Sequence, residues 1–227
     1  MPSLSIIVPV LDEAPLVAGA VHALAPLRER GAEVIVVDGG SRDGTPELAR
    51  PHADRVMLAP RGRAAQMNAG AEVASGDALL FLHVDTKLPP DADRLVLRSL
   101  ATAPWGRFDV TIDGRSPLLP LVAALINSRS RLGGIATGDQ AIFAAREAFR
   151  KAGGFPAIAL MEDVALSRRL KRIGRPVCLA ERVTTSGRRW ERNGVVRTIL
   201  TMWSLRLAFS LGADPAALAR RYGYVER

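Results

Sequence analysis

Apolar and polar positions alternate along this chain in two distinct periods. Leu4-Ser-Ile-Ile-Val-Pro-Val-Leu11 is a nearly continuous apolar run, followed by Asp12-Glu13 and by apolar positions at helical spacing from Leu16 to Leu27. This pattern predicts strand, turn and helix. Glu33-Val-Ile-Val-Val-Asp38 repeats the strand and ends in an acid, and Gly39-Gly-Ser-Arg-Asp-Gly-Thr-Pro46 makes a glycine-rich loop opening a short helix near Thr45. Arg55-Val-Met-Leu58 is a third short strand. Arg61-Gly-Arg-Ala-Ala-Gln-Met-Asn-Ala-Gly-Ala71 leads into a helix, and Asp77-Ala-Leu-Leu-Phe-Leu-His-Val-Asp85 is a fourth buried strand ending in polar residues. Apolar strands alternating with helices predict an α/β fold with a parallel sheet buried on both faces.

The second half is less regular. Trp105 to Asp113 predicts a strand, Leu118 to about Arg131 a helix, Gln140-Ala-Ile-Phe-Ala144 a strand, and Met161 to about Ile173 a helix stopped by Gly174. This half is expected to complete the sheet. No repeat or low-complexity linker interrupts the pattern, so residues 1–227 are read as one domain, a size that suits a single sizeable core.

Composition narrows the classes. No run of about 18 uncharged apolar residues appears, and the start MPSLSIIVPVLDEA lacks the features of a signal peptide, which sets a cytoplasmic expectation. The single cysteine, Cys178, has no intramolecular partner, and Pro176-Val-Cys-Leu179 resembles a short buried strand. The net charge of +8 attracts anions. Aromatic residues are only 5% and no base-reading module is visible, so nucleic acid is not expected as a partner.

Ligands of open α/β sheets bind beyond the carboxyl ends of the strands, where Glu13, Asp38 and Asp85 fall. His83 and Asp85, two residues apart, are expected on one face of their strand. A carboxylate there suits Mg²⁺ or Mn²⁺, shared with phosphate and water, with His83 as a second ligand or as a donor to phosphate. A strand-terminal Asp also serves as a turn or helix cap. Glu162 and Asp163 open a helix after Gly153-Gly-Phe-Pro156; one could cap it or complement its dipole while the other, Asp163, acts as general base on an acceptor hydroxyl. Arg61-Gly-Arg63, ahead of a helix N-terminus, and Ser186-Gly-Arg-Arg-Trp190 offer cations for a diphosphate or plain solvated charge.

Taken together these segments resemble family 2 glycosyltransferases. Val8-Pro-Val-Leu-Asp-Glu13 is similar to the family's opening strand motif, and Val36-Val-Asp-Gly-Gly-Ser-Arg-Asp-Gly-Thr45 to its second. His83-Val-Asp85 sits where the family carries its DXD-like metal motif, Gly138-Asp139-Gln140 resembles the acceptor-side loop, and Met161-Glu-Asp163 the ED motif. The resemblance runs from about Leu4 to Trp190. The GDQAIF and GGFP…MEDVALSRRL segments resemble more narrowly the branch of radical-SAM/selenodomain-associated transferases.

The resemblance implies a GT-A fold, a Rossmann-like domain with a mostly parallel sheet flanked by helices. Its nucleotide-binding half would be about 1–88, its acceptor half about 89–195, and a C-terminal helix about 195–211. It implies a nucleoside diphosphate sugar donor, UDP ahead of GDP, transfer with inversion to an unidentified acceptor, and a divalent metal. Carried over by position, Pro9, Leu11, Glu13, Asp38 and Gly40 belong to the nucleotide side and Arg63 and Arg188 to the diphosphate. Asp85 would hold the metal; His83, Asp85, Gly138, Asp139, Gln140 and Glu162 would join the nucleotide-sugar site, Gly138–Gln140 from the acceptor-side loop, and Asp163 would be the base. The family's first metal-motif acid is His83 here, and a neutral imidazole adds no charge to a hard cation site. Asp38 is followed by Gly39, where many relatives carry a second acid.

Two other classes share these features: a nucleotide-binding regulatory protein without transfer, and a nucleotidyltransferase. The apolar segment Val195 to Leu211, interrupted by Arg197 and Arg206, reads as a packing helix, with a peripheral membrane contact or a homodimer contact as the alternatives.

Overall fold

The structure is a computed structural model that describes residues 3–223. Strand β1 (Leu4–Val10) is followed by helices α1 (Ala14–His22) and α2 (Ala25–Glu29), then β2 (Glu33–Asp38), α3 (Thr45–Ala49), β3 (Arg55–Leu58), α4 (Arg63–Val73) and β4 (Ala78–Phe81). Next come β5 (Thr86–Lys87), α5 (Ala92–Leu100), β6 (Trp105–Asp113), α6 (Leu119–Gly133), a single 3-10 turn at Gly138–Gln140, β7 (Phe143–Ala145) and α7 (Arg146–Lys151). Helix α8 (Glu162–Ile173), β8 (Val177–Ser186), α9 (Arg188–Asn193), α10 (Val195–Ser210) and α11 (Pro215–Tyr222) complete the chain.

All eight strands form one sheet in the order β3-β2-β1-β4-β7-β6-β8-β5. The first four are mutually parallel. Strand β7 then runs antiparallel between β4 and β6, β6 and β8 are parallel, and β5 adds an antiparallel pair at the far edge. The strand period of two divides the core cleanly. Ile6, Val8, Val34, Val36 and Leu80 face one apolar layer with α1, α2, α5 and α6, while Ile7, Ile35, Val37, Leu79 and Phe81 face the other with α4, α7 and α8. A third, smaller cluster joins Leu160, Met161 and Val164 to Leu205, Leu218 and Ala219, holding the C-terminal helices against the start of α8.

Several sequence expectations are corrected. The predicted helix from Leu16 to Leu27 is two helices, because Pro26 enters the first turn of α2. Its ring clashes with the carbonyl four residues back, and that residue, His22, ends α1. The strand expected to run to Asp85 stops at Phe81, after which Leu82 N–H still reaches Ile7 O at 2.9 Å and a turn closes with Thr86 N–H on His83 O at 3.0 Å. The strand expected at Gln140–Ala144 begins at Phe143, since Ala141 takes a left-handed φ of 47° and Gln140 closes the 3-10 turn. Cys178 is only partly buried near the start of the ten-residue β8, not in a short core strand.

One buried polar device fixes β6 to α6. Arg107, fully buried, pairs with Asp109 and donates to Ser130 Oγ at 3.0 Å, while Arg131 Nη2 donates to the other Asp109 oxygen at 2.7 Å. Asn127 bridges Val110, accepting its N–H at 2.8 Å and donating to its carbonyl at 3.0 Å.

Candidate active site

Because β1, β2 and β4 are parallel, the loops after them meet at one edge of the sheet. The loops after β1 and β2 are laced together. Asp12 N–H donates to Ser41 Oγ at 2.8 Å, Arg42 N–H to Asp12 Oδ1 at 2.9 Å, Glu13 N–H to Thr45 Oγ1 at 2.9 Å, and Ala14 N–H to Asp43 Oδ2 at 2.9 Å. Gln66 of α4 ties both strand ends from beneath, its amide donating to Val10 O at 2.7 Å and Val37 O at 2.8 Å. Asp38 is buried and shapes its own loop, accepting from Gly40 N–H at 2.8 Å, Ser41 N–H at 2.9 Å and the Ser41 hydroxyl. Pro9 is buried in β1 opposite Val37, Leu11 is half-buried at the strand's exit, and Gly40 stands exposed at a φ of 91°. A cavity of about 490 Å³ opens beside these loops, lined by Asp38, Gly40, Pro46, Arg50, Val56 and Met57 among others. That size suits a small ligand.

Charged groups gather next to it. Arg188, at the start of α9, lies 3.4 Å from Asp85 Oδ2 and 4.0 Å from Glu13 Oε2. It is carried there by β8, whose pairing with β5 lays Thr185 against Thr86 and whose Ser186 N–H donates to Asp85 O at 3.2 Å. Burial raises the Glu13 carboxyl, with Arg188 and Arg63 opposing and Asp85 reinforcing. Arg63, opening α4, acts electrostatically on Glu13, His83 and Glu162 alike.

His83 does not share a strand face with Asp85; both lie on the turn after β4. The imidazole is pressed against Gly138, where an added Cβ would meet ring atom Cε1 at 2.5 Å. Burial, aided by Arg63, pushes its pKa down to about 3, so the ring is neutral at ordinary pH. Gly138 N–H donates in turn to Asp163 Oδ2 at 2.9 Å, and Val164 N–H donates to Asp163 Oδ1 at 2.6 Å. The DXD-like turn, the acceptor-side loop and the ED segment are thus one connected unit. Gln140, fully buried, closes that loop through a capping box with Thr137, and its amide reaches Asn127 Oδ1 at 3.4 Å.

The carboxyl of Glu162 is buried and rises to about 7, first through burial and then through neighbouring Asp163, with Arg63 opposing. Burial also raises Asp139, whose Oδ1 has no hydrogen-bond partner. Among the described residues, the non-glycine positive φ angles fall at Asp12, Ala141 and Met161, beside Glu13, Gln140 and Glu162 respectively. Strain of this kind concentrates where a side chain must be aimed.

Arg129 is not among the residues named from the sequence, and Arg206 is named there only as an interruption of the C-terminal apolar helix, not as a site residue. Arg129 of α6 buries Nε and Nη2 without a hydrogen-bond partner, and both arginines act electrostatically on Asp139 and Asp163. The available signal was a charge interrupting each helix's apolar pattern. Gln66 gave no signal, since its role depends on carbonyls far away in sequence.

Asp85 suits a hard divalent cation as a single carboxylate facing solvent beside Glu13. Among the described residues no three His, Cys, Asp or Glu side chains gather closely enough to hold a metal ion. A cation here therefore takes most of its ligands from phosphate and water, which is the usual habit of Mg²⁺. His83 lies against the Gly138 loop.

Comparison with known proteins places this geometry. Residues 5–117, about half of the chain, match the glycosyl transferase family 2 model. The succinoglycan biosynthesis protein ExoA of Rhizobium meliloti (strain 1021) is 30% identical over 204 residues, covering 79% of this chain and 61% of that protein. The chain therefore spans less than two thirds of that relative. A Pyrobaculum calidifontis mannosyltransferase, solved with GDP-Man and Mn²⁺, superposes with a TM-score of 0.62 at 22% identity over 81% of this chain and 56% of that one. Mannosyl-3-phosphoglycerate synthase from Rubrobacter xylanophilus gives 0.62 at 19% identity, covering 100% of this chain and 76% of that one. The fold is that of the GT-A glycosyltransferases. With the matched segment carrying Glu13, Asp38, Arg63 and Asp85 in the loops just described, the chain belongs to glycosyl transferase family 2.

Proposed function

We propose that the protein transfers a sugar from a nucleoside diphosphate donor to an acceptor hydroxyl with inversion, and that Asp163 is the general base. The observation that carries this reading is the link His83–Gly138–Asp163, which ties the base to the turn bearing Asp85, with Arg63 acting electrostatically on His83 and Glu162. The cavity beside Asp38 and Gly40 takes the nucleoside, uracil ahead of guanine, and Pro9, Leu11 and Glu13 contribute from the end of β1 and the loop after it, which is hydrogen-bonded to the loop of Asp38. Arg63 and Arg188 receive the diphosphate. A divalent cation held by Asp85 supplies further positive charge to the leaving diphosphate when bound.

The acceptor hydroxyl gives its proton to Asp163 as its oxygen bonds the anomeric carbon. The carbon–oxygen bond to the diphosphate breaks on the opposite face, and its electron pair leaves on phosphate, stabilised by the arginines. The two N–H donors on Asp163 fix the carboxylate's direction, as a base acting at hydrogen-bond range requires. Structures of similar fold support a nucleoside diphosphate as the donor: the Pyrobaculum enzyme was solved with GDP-Man and Mn²⁺, and a Mycobacterium tuberculosis glucosyl-3-phosphoglycerate synthase with UDP and Mg²⁺.

Asp163→Asn tests the assignment. It should lower transfer, or donor hydrolysis where the acceptor is unknown, by about 10²–10⁴-fold while nucleoside diphosphate affinity stays unchanged. Loss of nucleotide binding with the same substitution would make Asp163 a structural residue.

A further inference from the structure

Helix α10 presents two contrasting faces. Its inner face packs Leu205, with Met202, Ala208 and Phe209, against the start of α8 and against Leu218 and Ala219 of α11. Its outer face carries Val196, Leu200, Trp203, Leu207 and Leu211, each 60 to 79% exposed. At about 100° per residue these five fall within an arc of roughly 80°, forming one stripe about 22 Å long. Such a stripe exceeds the scattered exposed hydrophobics of an ordinary surface. Among the described residues no helix is long and apolar enough to cross a membrane, so the stripe is a surface contact and not a span.

Next to the stripe the surface is basic. Arg197 follows Val196 around the helix and lines a cavity of about 180 Å³ with Arg189, Asn193, Thr201, Arg221 and Tyr222. Arg189 stacks on the Tyr222 ring at 3.5 Å and donates to Tyr222 O, which stiffens one wall. Residues 188–223 contain seven arginines against two acids, Glu191 and Asp214, so most of the chain's net +8 lies here. Both acids are committed locally, Glu191 accepting from Arg115 N–H and Asp214 capping α11.

We propose that α10 and the arginine-lined cavity beside it form a docking surface for a bilayer of anionic phospholipid. Trp203 and the four aliphatic side chains enter the headgroup boundary, and Arg197 and Arg221 meet lipid phosphates. Amphipathic helices that lie in the interface combine an apolar face containing tryptophan with a basic flank, and anionic leaflets attract such flanks. Charge complementarity favours this occupant over a second copy of the chain. Two-fold pairing of the same stripe would bring two arginine clusters together with no row of acids to answer them.

Co-sedimentation of the full chain with vesicles of phosphatidylcholine, alone and mixed with phosphatidylglycerol, tests this surface. The protein should sediment with the mixed vesicles, remain in solution with the neutral ones, and show a blue shift of tryptophan emission on binding. Trp203→Glu with Leu207→Glu should abolish sedimentation. Arg197→Gln with Arg221→Gln should weaken it roughly ten- to thirtyfold. A charge-matched pair on α5, Arg94→Gln with Arg98→Gln, should change it by about twofold or less. All these side chains are exposed, so unchanged melting temperatures serve as the folding control. Absence of binding to mixed vesicles overturns the proposal, as does equal loss in the α5 pair. A dimer that ignores vesicles and dissociates on Trp203→Glu would assign the stripe to a second copy.

Discussion

At the scale of single residues, the candidate site depends on close approach as much as on charge. Gly138 has no room for a Cβ because the His83 ring fills that space. Gly138→Ala should therefore displace the loop that donates to Asp163, lowering turnover about tenfold or more and costing about 1–3 kcal/mol of stability. His83→Ala should restore much of the stability lost in the alanine variant, a coupling readable in a double-mutant cycle. Glu162 offers a pH test of the buried pair. Its folded pKa of about 7 lies above the ordinary 4.5, so the native state holds the extra proton. Its contribution to stability is present below about 4.5 and is lost as pH rises through about 7. Glu162→Gln should flatten that decline in melting temperature across the same window. An unchanged slope would mean that the carboxyl ionises as an exposed one does.

At the scale of elements, the strands of the parallel half were plain from sequence. Glu33–Asp38 and Arg55–Leu58 were read to the residue, the first because a β-branched run buried on both faces and closed by turn residues has few alternatives, the second from a short apolar run whose two ends are in fact exposed. Trp105–Asp113 was equally clear, but its internal pair was not: Arg107 and Asp109 look like solvent-facing charges and are buried against α6. Burial was set there by a partner helix distant in sequence. Asp109→Asn leaves the Arg107 guanidinium buried without its counter-charge and should cost about 3–5 kcal/mol in denaturant unfolding. A loss below about 1 kcal/mol would show that Ser130 and Asn127 satisfy Arg107 without it. The misread elements have local causes. Pro26 divides the first helix, and the left-handed Ala141 moves β7, a backbone state that an alanine does not announce. The site motifs were legible as types and order, whereas the contacts joining Gly138 to His83 and Asp163, and the presence of Arg129 and Arg206, required the fold.

At the scale of the whole molecule, the parallel half of the sheet carries the loops of Glu13, Asp38 and Asp85, and the antiparallel turn-back through β7 brings Gly138 and the start of α8 to the same edge. Strand β8 adds Arg188 from the far side, so three separate stretches of chain must fold together before the site exists. The central claim is that this edge binds a nucleoside diphosphate in reach of Asp163. Calorimetric titration of the protein with UDP and GDP, in Mn²⁺ and in EDTA, tests it most directly. One of the two should bind saturably, weakened at least about tenfold by EDTA and similarly by Asp85→Ala, since one lost ligand to a bound cation is worth that much or more. Absence of binding for both nucleotides under either condition would contradict it.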